Sequence, residues 1–254
     1  MLEAEIRKRK QKKDILLMTH IVLGYPSFED SRRIAETMVE VGVDLMELQI
    51  PFSEPIADGP VILHANQKAL AAGSTVDRCL EEAHALASSL PIPFVFMSYY
   101  NVAWKRGIER FAKETRAAGL HGAIILDLPY EEGQVLFDAM AKESLDPIFI
   151  YSPMTTDDRM RAIAGRARGF VYCVARKGVT GAATEFAVID GYLARCGRAT
   201  SLPLALGFGV KNRADIDKLI GKVDIAVVGS ETIRVVDCEG VKAVGPFLRS
   251  LRAT

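Results

Sequence analysis

Val43-Asp44-Leu45-Met46-Glu47-Leu48-Gln49-Ile50-Pro51 is the stretch on which the fold turns. Side chains of an extended chain alternate between faces, so Leu45, Glu47 and Gln49 share one side and Met46, Leu48 and Ile50 the other. A short run that is apolar on one face and half apolar on the other suits a strand of a parallel sheet, covered on both sides. Gly122-Ala123-Ile124-Ile125-Leu126-Asp127-Leu128-Pro129 repeats the idea, an apolar run ending in an acid followed by Leu-Pro.

Outward from these two segments, apolar runs recur at 15–22, 93–97, 147–151, 169–174, 202–206 and 224–228. Amphipathic stretches with helical spacing separate them, among them 28–41, 76–88, 107–118, 131–142 and 213–220. Gly42 and Gly119 stand where helices end, just before the next strand. No Pro/Ser-rich linker divides the 254 residues, a length typical of a (β/α)8 barrel. The pattern predicts an α/β fold: one TIM-barrel domain over residues 1–254 with an extra N-terminal helix. An open sheet of the same units is the alternative.

Barrels of this kind place their active sites at the C-terminal ends of the strands. With Met46, Leu48 and Ile50 against the helices, Glu47 and Gln49 point into the barrel. A buried carboxylate costs several kcal/mol unless it is paired, hydrogen-bonded or neutralised, which makes Glu47 a candidate acid/base. The competing explanation is a Glu satisfied by a Lys or a backbone N–H. Next in the chain, Pro51-Phe52-Ser53-Glu54-Pro55-Ile56-Ala57-Asp58-Gly59-Pro60 is stiffened by three prolines and carries an Asp-Gly turn. It holds Asp58 at the barrel mouth near Glu47, or Asp58 is simply a turn former. Late in the chain come three glycine turns: Gly178-Val179-Thr180-Gly181, Gly207-Phe208-Gly209 and Gly229-Ser230. They let the backbone approach an anion, and a helix opening at Ser230 adds its N–H groups, where barrels often bind phosphate.

Composition narrows the classes. Lys+Arg and Asp+Glu balance at 32 each, so no global field recruits nucleic acid or an anionic membrane. The cysteines, Cys79, Cys173, Cys196 and Cys238, form no CxxC pair, and no HxxxH or HExxH spacing offers a metal site. The basic run Arg7–Lys13 before the apolar 15–23 imitates a signal peptide. Asp14 and His20 interrupt it and no small-residue cleavage site follows, so it is expected to be the solvated face of an N-terminal helix in a cytoplasmic protein.

Over nearly its whole length the chain resembles the tryptophan synthase α subunit family. The segment from Met46 to Pro60 is close to the family's L-E-L-G-I-P-F-S-D-P-x-A-D-G-P. Further matches are Tyr100-Asn101, Gly107-Ile108-Glu109-Arg110-Phe111, Asp127-Leu128-Pro129, Thr155-Thr156 with Arg159, and the three glycine turns. The resemblance implies a lyase of tryptophan biosynthesis that cleaves indole-3-glycerol phosphate to indole and D-glyceraldehyde 3-phosphate. It makes Glu47 the proton-transferring acid and Asp58 the acid at the indole N–H. Gly181, Phe208, Gly209, Gly229 and Ser230 become the phosphate cradle, Tyr172 an active-site phenol, and Thr180 the residue of a closing loop, 176–186, that orders Asp58. Tyr99, Ile124 and Leu126 fall where the family lines its indole pocket. It further implies no metal and no cofactor in this chain, and a β-subunit partner, carrying pyridoxal phosphate, in an α2β2 complex. Docking would involve the loops at 51–58, Asn101 and Pro129.

The sequence departs from the pattern at several points. Gln49 replaces a Gly and His20 a usual aromatic, both near the substrate, and they are expected to pack against one another and an ordered water. Tyr25 replaces Asp, Glu54 replaces Asp, and Met154 replaces Thr or Pro. Two further readings follow: a barrel lyase whose pocket is reshaped by Gln49 and His20 for another phosphorylated substrate, and a catalytically weak allosteric partner of a β subunit.

Overall fold

The computed structural model describes residues 2–175, 186–207 and 209–252. Eight parallel strands, β1 (Leu16–Val22), β2 (Leu45–Gln49), β3 (Phe94–Ser98), β4 (Gly122–Ile125), β5 (Asp146–Tyr151), β6 (Val171–Val174), β7 (Leu204–Gly207) and β8 (Ile225–Val228), close into a barrel in sequence order. β1 completes the ring by pairing with β8, Thr19 opposite Val228. The open-sheet alternative is thereby excluded.

An extra helix, α1 (Leu2–Lys10), precedes β1. Around the barrel run α2 (Phe28–Glu40), α3 (Pro60–Ala71), α4 (Val76–Ser89), α5 (Tyr100–Arg106) and α6 (Ile108–Ala117). They continue as α7 (Gln134–Lys142), α8 (Asp157–Ala164), α9 (Phe186–Ala199), α10 (Arg213–Asp217), α11 (Ser230–Glu239) and α12 (Val244–Ser250). Gly42 and Gly119 follow α2 and α6 with φ of +86° and +84°, the left-handed turn that ends a helix. Among the described residues no helix is long and apolar enough to cross a membrane.

Two apolar layers result from the alternation along each strand. Met46, Leu48, Phe94, Phe96 and Leu206 face outward into the shell packed by the helices. Met18, Leu45, Val95, Ile124, Ile148 and Ile225 fill the inside of the barrel, and Leu2 and Ile6 of α1 join that inner layer. The basic run is thus the outer face of a plug: Arg7 and Arg9 pair with Glu3 and Glu5 at 2.8 and 2.7 Å and donate to the Ser201 and Pro91 carbonyls.

Acids at the starts of strands are spent on the frame. Asp44 accepts the Leu17 N–H at 3.0 Å and pairs with Lys13, Asp146 accepts the Leu2 N–H at 3.0 Å, and Asp224 accepts the Leu204 N–H at 2.9 Å. Such acids at the N-terminal end serve stability, which leaves the acids at the other end to be explained.

Candidate active site

Each strand's last inward residue and the loop after it build the C-terminal mouth. β1 and β2 lie in register with His20 opposite Glu47 and Val22 opposite Gln49. All three polar side chains point inward, with exposures of 1%, 2% and 0%. The inward reading of Glu47 and Gln49 therefore holds.

His20 Nδ1 lies 3.0 Å from Glu47 Oε1. Among the described residues, Glu47 Oε2 and His20 Nε2 are buried without a hydrogen-bond partner. Asp58 is fixed from two sides: Gln49 Nε2 donates to its Oδ2 at 2.7 Å and the Tyr99 hydroxyl donates to the same oxygen at 3.0 Å. Tyr99 in turn accepts the Ala57 N–H at 3.1 Å and stacks on Phe52, ring centres 5.1 Å apart. Phe52 N–H donates to Asn66 of α3 at 2.9 Å. The proline-rich loop is thus tied to β2, β3 and α3. His20 and Gln49, expected to share each other's company, bond different carboxylates.

One cavity of about 420 Å³ has Glu47, Asp58 and His20 in its lining. Tyr172, Leu126, Gly207, Gly209, Gly229 and Ser230 line it as well. Tyr172 passes so close to Gly207 that a Cβ there would meet its hydroxyl at 2.7 Å, so only glycine leaves the phenol room. Gln49, Tyr99 and Ile124 are not in the lining: the first two stand behind Asp58, and Ile124 lies in the inner core beneath. Thr180, Gly181, Phe208 and the loop 176–185 lie outside the described residues.

Also in the cavity wall, α11 begins with Gly229 as its N-cap and no N-cap side chain on its first N–H groups. α2, α4, α8 and α10 are capped by Ser27, Thr75, Thr156 and Asn212. An uncapped helix start facing a cavity is suited to an anion. Arg234, one turn further on, also lines the cavity and pairs with Glu231 at 2.7 Å. Reading glycine turns alone missed this arginine; the signal was a cation four places after Ser230.

Burial pushes the Asp58 carboxyl above its ordinary range, opposed by the Gln49 hydrogen bond, the proximity of His20 and the Tyr99 hydrogen bond. Burial first, then the charges of Glu47 and Asp58 and a hydrogen bond to Glu47, hold the Tyr172 phenol well above its ordinary value, so it serves as a hydrogen-bond donor. Asp127, the acid that ends the second quoted segment, does something else: it accepts the Tyr100 N–H at 2.7 Å and caps α5. A cavity of about 380 Å³ between β4, β5 and α7 has Asp127 and Arg159 in its lining but no second carboxylate.

The family model described as "Tryptophan synthase alpha chain" matches residues 6–244. The tryptophan synthase alpha chain of Desulforapulum autotrophicum is 60% identical over 99% of this chain and 100% of its own length. That of Syntrophotalea carbinolica is 58% identical over 99% and 100%. A structure of Mycobacterium tuberculosis tryptophan synthase superposes with a TM-score of 0.92 at 30% identity, over 98% of this chain and 96% of that one. With this similarity spanning the barrel and both ends of its cavity, the chain belongs to the tryptophan synthase alpha chain family.

Proposed function

We propose that the chain cleaves indole-3-glycerol phosphate to indole and D-glyceraldehyde 3-phosphate by a retro-aldol reaction, as the α half of tryptophan synthase. The observation that carries this reading is the meeting of two carboxylates, Glu47 and Asp58, with an uncapped helix start and glycine turns in one cavity. One end suits an indole ring, the other a phosphate.

Protonation at ring carbon C3 turns the indole into an electron sink, and Glu47, in the cavity lining beside Tyr172, is the acid for it. Positive charge then develops at the ring nitrogen. Asp58, fixed by Gln49 and Tyr99, is the counter-charge and the acceptor of the N–H. The phosphate binds to the first N–H groups of α11, to Ser230 and Gly209, and to Arg234, which orients the glycerol chain. Leu126, Met97 and Ile150 supply apolar contacts for the ring. The step requires no metal, nucleotide or Schiff-base lysine; in this reading pyridoxal phosphate belongs to the β subunit.

The β partner has a surface to meet. Ile56, Trp104, Val135 and Met154 are apolar side chains 65–74% exposed. They follow β2, β3, β4 and β5 in turn, forming one sector at the C-terminal end, beside the loops at 51–58, Asn101 and Pro129. Large exposed apolar groups grouped in this way mark an interaction face.

The test is direct. Purified protein given indole-3-glycerol phosphate should release indole and glyceraldehyde 3-phosphate in equal amounts, faster with a tryptophan synthase β subunit present. Intact phosphate binding with no indole released, with or without that subunit, rules the reading out.

A further inference from the structure

The reaction moves two protons, one onto the ring and one off a glycerol hydroxyl. Glu47, once it has protonated the ring, is a carboxylate able to take the second, but it is not the only group placed to do so. The structure supplies another base. His20, opposite Glu47 in the register, contacts Glu47 Oε1 through Nδ1 at 3.0 Å. The residue is 1% exposed, lines the cavity beneath Gly229, and leaves Nε2 buried with no partner among the described residues. A neutral imidazole whose Nδ1–H donates to a carboxyl has Nε2 as a bare acceptor, and a buried bare acceptor calls for a donor from the ligand.

We propose that His20 is a catalytic residue of this enzyme, taking the glycerol hydroxyl proton at Nε2 while passing its Nδ1 proton to Glu47. This rests on the indole-3-glycerol phosphate reading above. Glu47 Oε2 first gives its proton to ring C3. The hydroxyl O–H bond then breaks towards His20 Nε2, its electron pair forms the aldehyde C=O, and the C–C bonding pair returns to the ring. In the same event the Nδ1 proton moves to Glu47 Oε1. Carboxylic acid and neutral imidazole are both regenerated, with the imidazole proton now on Nε2, and exchange with water resets it when products leave. An imidazole that is held by a carboxyl and takes a hydroxyl proton follows the logic of a base oriented by a third group; here that carboxyl has already lost its own proton to the ring and so receives one back. Other groups facing the dyad do not compete. Asp58 already accepts two hydrogen bonds on one oxygen, Tyr172 and Tyr99 are donors, and Arg234 is a cation paired with Glu231.

The experiment compares wild type, His20→Asn and His20→Phe in indole release across pH. Asn keeps an amide N–H where Nδ1 stood and so preserves the hold on Glu47, but it accepts no proton. Both variants should lose about 10²-fold in kcat with KM little changed, in the range of one general base. Wild-type kcat in His20→Asn overturns the proposal and leaves His20 a positioning residue; wild-type kcat in His20→Phe removes it altogether. The wild type alone gives a second check in mixed H2O/D2O: two protons moving together bend the dependence of kcat on deuterium fraction, and a straight line contradicts the relay. Absence of indole release from the wild type would instead sink the parent reading.

Discussion

Asp58 shows how a residue is kept in a state its surroundings disfavour. Burial raises its carboxyl above the ordinary range, so the fold binds that proton more tightly than the unfolded chain does. The stability tied to it is therefore full below the ordinary carboxylate range and lost as pH rises through the folded value. We expect Asp58→Asn to raise the melting temperature at neutral pH, the gain shrinking towards acid, while indole release falls about 10²-fold for want of a counter-charge. Melting curves at several pH values beside the release assay check both. The acids themselves were legible: alternation turned Glu47 inward, and stiff prolines marked the loop of Asp58. What their neighbours do was not. His20 and Gln49 read as a pair because both face inward, but the register sets His20 against Glu47 and leaves Gln49 within reach of Asp58. Register is a property of two strands, and neither strand's sequence states it.

At the scale of the element, α1 is a plug rather than a solvated ornament. Leu2 and Ile6 are 1% and 0% exposed inside the barrel floor, and the Leu2 N–H is held by Asp146. Ile6→Ala leaves a cavity there and should lower the unfolding free energy by about 3 kcal/mol. Chemical denaturation measures it, and kcat should not change, because the floor and the mouth are opposite ends. Its basic run named a helix from sequence but not which face is buried. Strands were easier: β2 emerges within a residue or two of its apolar run because both faces are covered. β4 stops at Ile125, two residues before the apolar run does, since Asp127 is drawn aside to cap α5. α5 itself escaped notice, being seven residues long with an N-cap residue, Tyr99, whose own side chain makes no capping hydrogen bond.

On the whole-molecule scale, the site exists only because the barrel closes. Glu47 comes from β2, His20 from β1, Tyr172 from β6, and the anion end from the turns after β7 and β8, so residues as far apart in sequence as His20 and Ser230 share one cavity. Gly207, Gly209, Gly229 and Ser230 of the glycine turns line this cavity, while Arg234 emerged only with α11 in three dimensions. If this convergence performs the chemistry, Glu47 should matter for proton transfer and little for holding substrate. The decisive measurement titrates Glu47→Gln with indole-3-glycerol phosphate and follows indole release in the same preparation. Near-native affinity with release reduced by about 10³-fold is the expected result. Release close to the wild-type rate, or loss of binding in step with loss of turnover, would contradict it.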